Sequence, residues 1–386
     1  MPTDQQPTFS RTSLNILILV CVLLILIFGQ ASQDDGQIDL PPAPKLDIRV
    51  WQTDSGASVW FNPKLDDHIY IQLHYLAGFS FNHPPFAAGT SQLLVSLLNH
   101  QARQQNIPAQ FALSPDFIEI SIKLSTDALL MNSQIKALKA LLYRPTLDDS
   151  VLQTAKNILP NHFDELWQQA YLGHSYQGPK HGTTQSVSAI HRAALQKYQQ
   201  GFLHPSRLFS GISGNINEKA AQVIMELLLP KSAYTANATR THESQANGSY
   251  QQGSVGLIVM PGSYEQIDHI THQLMMLNIL KLIQPTQMQL ISANSNNSLL
   301  IEQWPSLLSS IDTDLDSDIM RQAKRQSIKD AIARTQTAAA LSELLVWLNR
   351  YHLPSSFLHT HFSLIEKWQQ RDWQTVKQQW LQTPLN

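Results

Sequence analysis

The apolar positions of the chain follow two different periods, and the period changes from one segment to the next. Residues 68–77 (HIYIQLHYLA) and 117–124 (FIEISIKL) alternate and predict strands, whereas the leucines between Thr90 and Gln104 share one helix face. A strand pair, a helix, a second strand pair and further helices follow in this order, once in full and once in shortened form. The pattern predicts an α+β protein of two related domains, each a largely antiparallel sheet with helices packed on one face.

Further patterns complete this outline. Strand-like runs lie within 48–61, 109–113, 208–216, 254–260 and 287–304, and helical spacing occupies 126–142, 151–172 (interrupted by Pro160), 188–202, 217–229, 268–283, 316–334, 338–351, 357–368 and 373–381. Residues 232–252 are rich in Ser, Thr, Asn, Gln and Gly and have no apolar period, which is typical of a linker. We therefore expect a first domain at 46–231, a linker at 232–252 and a shortened second domain at 253–386.

An apolar segment lies near the N-terminus. Residues 14–28 are apolar apart from Asn15, Arg11 precedes them and two aspartates follow. Such a run fits the apolar part of a secretory signal, usually about 7–15 residues, and is short for a membrane-spanning helix. We expect residues 1–32 to be a signal peptide or an uncleaved signal anchor, and residues 33–45 to be an extended tether. The charge bias places the rest of the chain outside the cytoplasm.

Composition narrows the class of protein. The chain has 386 residues, 43% of them hydrophobic and 15% charged, and a formal net charge of -2. These values are typical of a globular protein of about two domains, and they lack the basic surplus of nucleic-acid-binding proteins. Cys21 is the only cysteine, so an intrachain disulfide is excluded.

Four ordered stretches resemble the insulinase/pitrilysin family of zinc peptidases. They are residues 51–63 (WQTDSGASVWFNP), 70–80 (YIQLHYLAGFS), 173–216, which begins GHSYQGPKHGTT, and the helical run 319–386. The resemblance covers nearly all of residues 46–386 and implies one half of a peptide-enclosing clamshell, built from two α+β domains. It also implies a partner, either a homologous catalytic subunit or another envelope protein, and a peptide as the ligand.

The same resemblance locates the position of the zinc site. Active members carry Gly-x-Ala-His-x-x-Glu-His on the first helix, where two histidines hold zinc and the glutamate activates water. This chain has GTSQLLVS, with Gln92 and Ser96 at the histidine positions and Val95 at the general base. The later helix near 152–156 has no glutamate, and the stretch 283–295 (IQPTQMQLISANS) contains neither the arginine nor the tyrosine that active pairs use there. We expect no catalytic, cofactor-binding or metal-binding residues.

Other side chains offer weaker candidate sites. His100 shares a helix face with Gln92 and Ser96, and His162 and Glu165 are three apart on a predicted helix; we favour a solvated histidine for the first and an ordinary polar helix face for the second. The remaining candidates each have a structural reading that we favour: the alternating aspartates Asp312, Asp314, Asp316 and Asp318 (helix capping rather than a calcium loop), the histidines His352, His359 and His361 (a helix connection), the serines Ser210 and Ser213 (a strand without a nucleophile elbow), and the tryptophans Trp368, Trp373 and Trp380 (core packing rather than a partner surface).

These observations predict a catalytically inactive insulinase-like homologue. We expect it to be exported, held at the inner membrane facing the periplasm or secreted into the periplasm, and to act as a non-catalytic subunit or as a peptide- or protein-binding partner. The alternative from another class is an exported zinc metallopeptidase that uses non-standard ligands such as His100, His162 or Glu165. A third alternative is a plain assembly module without a peptide chamber, because a fold by itself does not define a function.

Overall fold

The computed structural model describes residues 41–147, 152–153, 155–156, 162–174, 176–231, 248–261, 266–285, 287–292, 296–311 and 315–381. Within these ranges, no helix has the length and apolar character needed to cross a membrane. The apolar segment 14–28, and with it the expected signal or anchor, lies outside the described residues, as do most of the expected linker and Pro160.

The first domain is built on a six-stranded sheet. Its strands are β1 (Arg49–Gln52), β2 (Ser58–Pro63), β3 (His68–Leu76), β4 (Ala109–Leu113), β5 (Phe117–Ser125) and β6 (Leu208–Gly214), in the order β1-β2-β6-β3-β5-β4. Neighbouring strands are antiparallel except β2 and β6, which run parallel. The sheet is therefore mixed, because β6 arrives from far along the chain and inserts between β2 and β3.

Helices cover one face of this sheet. They are α1 (Thr90–Gln104), α2 (Ala128–Tyr143), α4 (Thr184–Ser188), α5 (Arg192–Phe202) and α6 (Glu218–Leu228), while α3 (His162–Ala170) lies elsewhere. Alternate residues of β3, such as Ile71 and Leu73, join the leucines of α1 in a fully buried core. The expected helix 188–202 begins only at Arg192, because the backbone at His191 is extended, and the short helix α4, capped by Thr183, precedes it.

The second domain is built on a four-stranded antiparallel sheet. Its strands are β7 (Gly248–Gln252), β8 (Val255–Pro261), β9 (Met288–Ser292) and β10 (Asn296–Ile301), in the order β7-β8-β10-β9. Its helices are α7 (Ile267–Ile283), α8 (Trp304–Ile311), α9 (Ser317–Ala333), α10 (Ala338–Arg350), α11 (Phe357–Lys367) and α12 (Gln370–Val376), the last continuing as a π-helical turn at Lys377–Leu381. Strand β7 occupies the last five residues of the expected linker, and α8 was not expected.

The predicted role of the C-terminal tryptophans is confirmed by their burial. Trp368, Trp373 and Trp380 are 1–3% exposed and belong to the core of the second domain. Burial of such large side chains is a major contribution to the stability of an apolar core. They are therefore not part of an exposed partner surface.

One helix of each domain packs on the sheet of the other domain. Helix α10 of the second domain packs across β2, β3 and β6 of the first sheet, and α3 of the first domain packs on β7 and β8. At the first contact, Asn349 donates to the backbone oxygens of Ser58 and Ser210 at 3.1 and 3.0 Å. Each sheet is thus covered on its second face by a helix from the other domain, which fixes the cleft between them.

Candidate functional site

The helix with the degenerate zinc motif starts at a close crossing of two backbone segments. Gly89 caps α1 with φ 91°, and a Cβ at this position would lie 2.5 Å from the carbonyl oxygen of His181. Gly182 is left-handed at φ 76°, and its Cβ would lie 2.4 Å from the oxygen of Ala88. Only glycine fits such a crossing without strain. The segment that contains Lys180 and His181 is therefore held directly against the start of α1.

The three motif positions lie on α1 as the sequence analysis expected of a helix. The amide nitrogen of Gln92 donates to the hydroxyl of Ser96 at 3.5 Å, so these two side chains share a face. Val95 is 4% exposed and packs within the leucine-rich core of the first domain. Gln and Ser are poor zinc ligands beside imidazole, and valine cannot accept a proton from water. The absence of a zinc site stays a prediction from these residue types.

The non-standard ligand candidates lie in different surroundings. His100 is exposed on α1, and the carboxylate of Glu165 on α3 accepts a hydrogen bond from the side chain of Gln252 on β7. The side chain of His162 is outside what the structure describes. Among the described residues, no three His, Cys, Asp or Glu side chains come together in a group that could hold a metal ion.

Among the remaining sequence candidates, Asp316 and His361 have structural partners. Asp316 caps α9 by accepting from the backbone nitrogen of Asp318 at 3.0 Å, as expected, while Asp312 and Asp314 lie outside the described residues. His361 is buried against Thr271 at 2.8 Å, and burial lowers its pKa to about 4. Only His352 lies in a helix connection, whereas His359 and His361 lie on α11, so that expectation was wrong for these two; His352 and His359 are exposed. Ser210 and Ser213 lie fully buried on the central strand β6, where no substrate reaches them.

A cavity that the sequence analysis missed lies where the two domains meet. Its volume is about 440 Å³, and it is bounded by the β4–β5 turn, by the segment at Lys180 and His181, and by β9 and β10. Phe79, Leu113, Leu290, Ile291 and Leu300 form its apolar wall. The strands β4 and β9 are edge strands of their sheets. Four segments far apart in sequence build this site, so no local motif could have revealed it.

The segment that brings Lys180 and His181 to the cavity is held in place by Asp164 on α3. The carboxylate of Asp164 on α3 accepts from the backbone nitrogens of Lys180 and His181 at 3.1 and 2.9 Å, and the Nδ1 atom of His181 is 3.1 Å from the same carboxylate. These bonds fix the segment relative to α3. Burial lowers the pKa of Lys180, an effect that the negative charges of Asp164 and Glu119 partly oppose.

A second charged group joins the domains beside the cavity. Arg350 at the end of α10 is 3% exposed, and its Nη1 atom lies 3.2 Å from Glu119 Oε1 on β5 and 3.2 Å from His74 Nδ1 on β3. The guanidinium also stacks on Phe117, with 4.2 Å between its carbon and the ring centroid. Burial alone would raise the pKa of Glu119, but His74 and Arg350 together hold that pKa below its usual value. Glu119 is thus ionised and already paired.

Known structures share this architecture at low sequence identity. No protein-family profile and no curated protein matches the sequence. The inactive domain of an M16 peptidase from Pseudomonas fluorescens superposes with a TM-score of 0.68 and 16% identity, over 86% of this chain and 94% of that one. An M16-like peptidase from Alicyclobacillus acidocaldarius gives 0.66 and 14%, over 90% and 97%.

A periplasmic protease gives a similar result. The first half of PqqL from Escherichia coli superposes with a TM-score of 0.63 and 11% identity, over 87% of this chain and 91% of that half, whereas the match spans 47% of the complete PqqL chain. At these identities the likeness establishes the fold. The chain thus has the fold of one half of an M16 peptidase, which confirms at the level of architecture the insulinase/pitrilysin resemblance of its sequence.

Proposed function

We propose that the chain is a non-catalytic member of the insulinase/pitrilysin peptidases that binds polypeptides or proteins at the cell envelope. The observation that carries this proposal is the residue set on α1, where Gln92, Val95 and Ser96 occupy the positions of the two zinc ligands and the general base. The usual mechanism needs a zinc-bound water as the nucleophile and a glutamate as the proton acceptor, and the residue types at these positions supply neither.

The architecture supports a role in binding. Two edge strands, β4 and β9, flank the cavity between the domains, and edge strands offer free backbone donors and acceptors to an extended polypeptide. The chain also corresponds to half of the complete PqqL protease. We infer that a second, homologous half or another envelope protein completes the chamber, and that this partner supplies any catalysis.

The proposed location rests on two independent observations. The apolar segment 14–28 with Arg11 before it is typical of an export signal or anchor. PqqL, whose first half shares the fold, is a periplasmic protease. We propose inner-membrane attachment facing the periplasm, or release into the periplasm after cleavage near residue 32.

Zinc content and peptidase activity test the non-catalytic assignment together. We expect the purified chain, dialysed against trace zinc, to retain far less than one zinc per molecule and to leave a panel of quenched fluorescent peptides uncleaved. The His100→Ala variant serves as the control, since it removes the candidate ligand that α1 presents to solvent. One zinc per chain that is lost in His100→Ala, together with cleavage activity, would establish the metallopeptidase alternative instead.

Capture of a partner protein tests the proposed role as a subunit. Chemical crosslinking in the native host, followed by purification of the chain from the membrane and periplasmic fractions, should recover a homologous peptidase or another envelope protein in stoichiometric amount. Recovery of the chain alone from both fractions would contradict the role as a subunit.

A further inference from the structure

We propose that the cavity between the two domains binds the C-terminal end of a polypeptide, with Lys180 receiving the terminal carboxylate and the apolar wall receiving the last side chain. This inference rests on the proposed polypeptide-binding function and names the ligand chemistry of that function. The cavity volume of about 440 Å³ is sufficient for one or two residues of a peptide and lies within the range of small-ligand sites.

The polar side of the cavity contains Lys180. Its side chain lines the cavity, and neither a hydrogen bond nor an ion pair to its ammonium group occurs among the described residues. Burial lowers the pKa of this lysine, because the ammonium group has lost part of its hydration without gaining a hydrogen bond. An anionic group that enters the cavity would replace the lost hydration with a charge-assisted hydrogen bond.

The carboxylates next to Lys180 are already engaged by other groups. Glu119 pairs with the buried Arg350 at 3.2 Å. Asp164 accepts from two backbone nitrogens and lies 3.1 Å from the ring of His181. Because both acidic groups are fixed by these contacts, they attract Lys180 only at longer range. The ammonium group therefore remains available to an anion from outside.

An apolar wall lines the rest of the cavity. Leu113, Ile291 and Leu300 line the cavity and pack against a buried aromatic cluster that includes Phe79 and Trp167. An apolar side chain placed here would lose its contact with water at a gain of roughly 25 cal/mol per Å². The site therefore selects a carboxylate that is attached to an apolar group, and the C-terminal residue of a peptide has this chemistry.

Fluorescence anisotropy with two peptides tests the proposal. Both are fluorescein-labelled at the N-terminus and end in Phe-Leu, one as the free acid and the other as the amide. We expect the purified full chain to bind the acid, and to bind the amide roughly tenfold or more weakly, because the amide cannot accept the charge-assisted hydrogen bond. The variant Lys180→Met should reduce binding of the acid to the level of the amide.

The controls separate binding from folding. Lys219→Met makes the same chemical change at an exposed position on α6 that does not line the cavity, and it should leave both affinities unchanged. Lys180→Met removes a desolvated charge, so we expect its thermal midpoint to equal or exceed that of the natural chain. Equal affinity for acid and amide, unchanged binding in Lys180→Met, or no binding of either peptide at millimolar concentration would each overturn the proposal.

A free carboxylic acid is the other source of the same chemistry. Octanoate is therefore tested alone and as a competitor of the acid peptide. Competition by octanoate at concentrations well above those of the peptide agrees with the proposal, whereas octanoate binding without peptide binding excludes a polypeptide end as the ligand. The peptide tests can fail while the purified chain still lacks zinc and still captures a partner protein. In that case the ligand assigned to the cavity is wrong, and the proposed function stands.

Discussion

The packing of helix α10 on the first sheet depends on one glycine of that sheet. Gly211 lies on β6 beneath α10, and a Cβ at this position would lie 2.3 Å from the backbone oxygen of Ser342 and 2.5 Å from the backbone nitrogen of Val346. Ordinary contacts of a methyl group begin near 3.4 Å, so Gly211→Ala forces α10 outward by about 1 Å. Both clashing atoms belong to the backbone of one helix, and therefore no side-chain rotation can relieve the overlap.

The expected cost follows from this geometry. Adding a methyl group to a tightly packed core typically costs about 1–3 kcal/mol, and rigid backbone on the far side places Gly211→Ala at the upper end, roughly 3 kcal/mol. Displacement of α10 also stretches the bonds of Asn349 to the first sheet and the pairing of Arg350 with Glu119. The loss should therefore appear as loosening of the domain contact as well as lower global stability.

Gly201→Ala provides a control with the identical chemical change. Gly201 lies within helix α5, and a Cβ there would meet no atom within 4 Å. Alanine in a helix is favoured over glycine by about 1 kcal/mol, so this variant should be slightly more stable than the natural chain. The two alanine variants should thus differ by roughly 4 kcal/mol in their free energy of unfolding.

Urea denaturation and hydrogen exchange measure the two effects. We expect the unfolding midpoint to fall in Gly211→Ala and to rise slightly in Gly201→Ala, with faster exchange in residues 338–350 only in the former. Because the chain has two domains, tryptophan fluorescence and circular dichroism should be followed together. The reasoning is refuted if Gly211→Ala unfolds at the same urea concentration as Gly201→Ala, or if exchange in α10 is unchanged.

Three further predictions follow from the buried groups. Burial lowers the pKa of His74 and of His361 from 6.5 to about 4. Between these two pH values the unfolded chain therefore binds protons that the folded chain does not. As the pH drops from 6.5 to 4, the free energy of unfolding should fall by roughly 3 kcal/mol for each histidine. His361→Gln should therefore show a shallower decline of the thermal midpoint across this range, and an identical decline would contradict the assignment. Arg350→Met leaves the carboxylate of Glu119 without its buried partner and should cost about 3–5 kcal/mol in urea unfolding, of which Glu119→Gln in the same chain should restore a part. Trp304→Ala empties a fully buried site above β8 and should cost about 3–5 kcal/mol, whereas a loss below about 1 kcal/mol would show that α8 contributes little to the second core.

The sequence carries local information about burial very well. The alternation of β5 and the leucine spacing of α1 report which face of each element is buried, so the fold class and most element bounds could be predicted. Strand β3 alternates as well, but its polar residues Gln72 and His74 are also buried, because α10 covers the second face of the sheet. Helix α8 was missed because its eight residues are too few for a period to stand out, and β7 was missed because its residues are mainly polar or small. Both elements gain their stability from the neighbours they pack on.

The family resemblance located α1 as the place where zinc chemistry would occur. Residue types at fixed positions were sufficient for this step, since a glutamine, a valine and a serine have known chemical limits wherever they lie. Their helical spacing then appeared in the structure as the Gln92 to Ser96 hydrogen bond. The sequence thus determined the α+β class, the buried tryptophan core and the residues of the degenerate motif.

Tertiary structure alone decided the cavity and the contact between domains. Arg350 and Glu119 are separated by 231 positions, and Asn349 and Ser58 by 291, so no periodicity along the chain encodes their pairing. Lys180 is an ordinary lysine in the sequence and becomes a desolvated cation only because α3, the β4–β5 turn and β9 close around it. The hydration of a charged side chain and the charges around it depend on which distant segments pack together. The periodicity of one segment indicates only which face of that segment is buried.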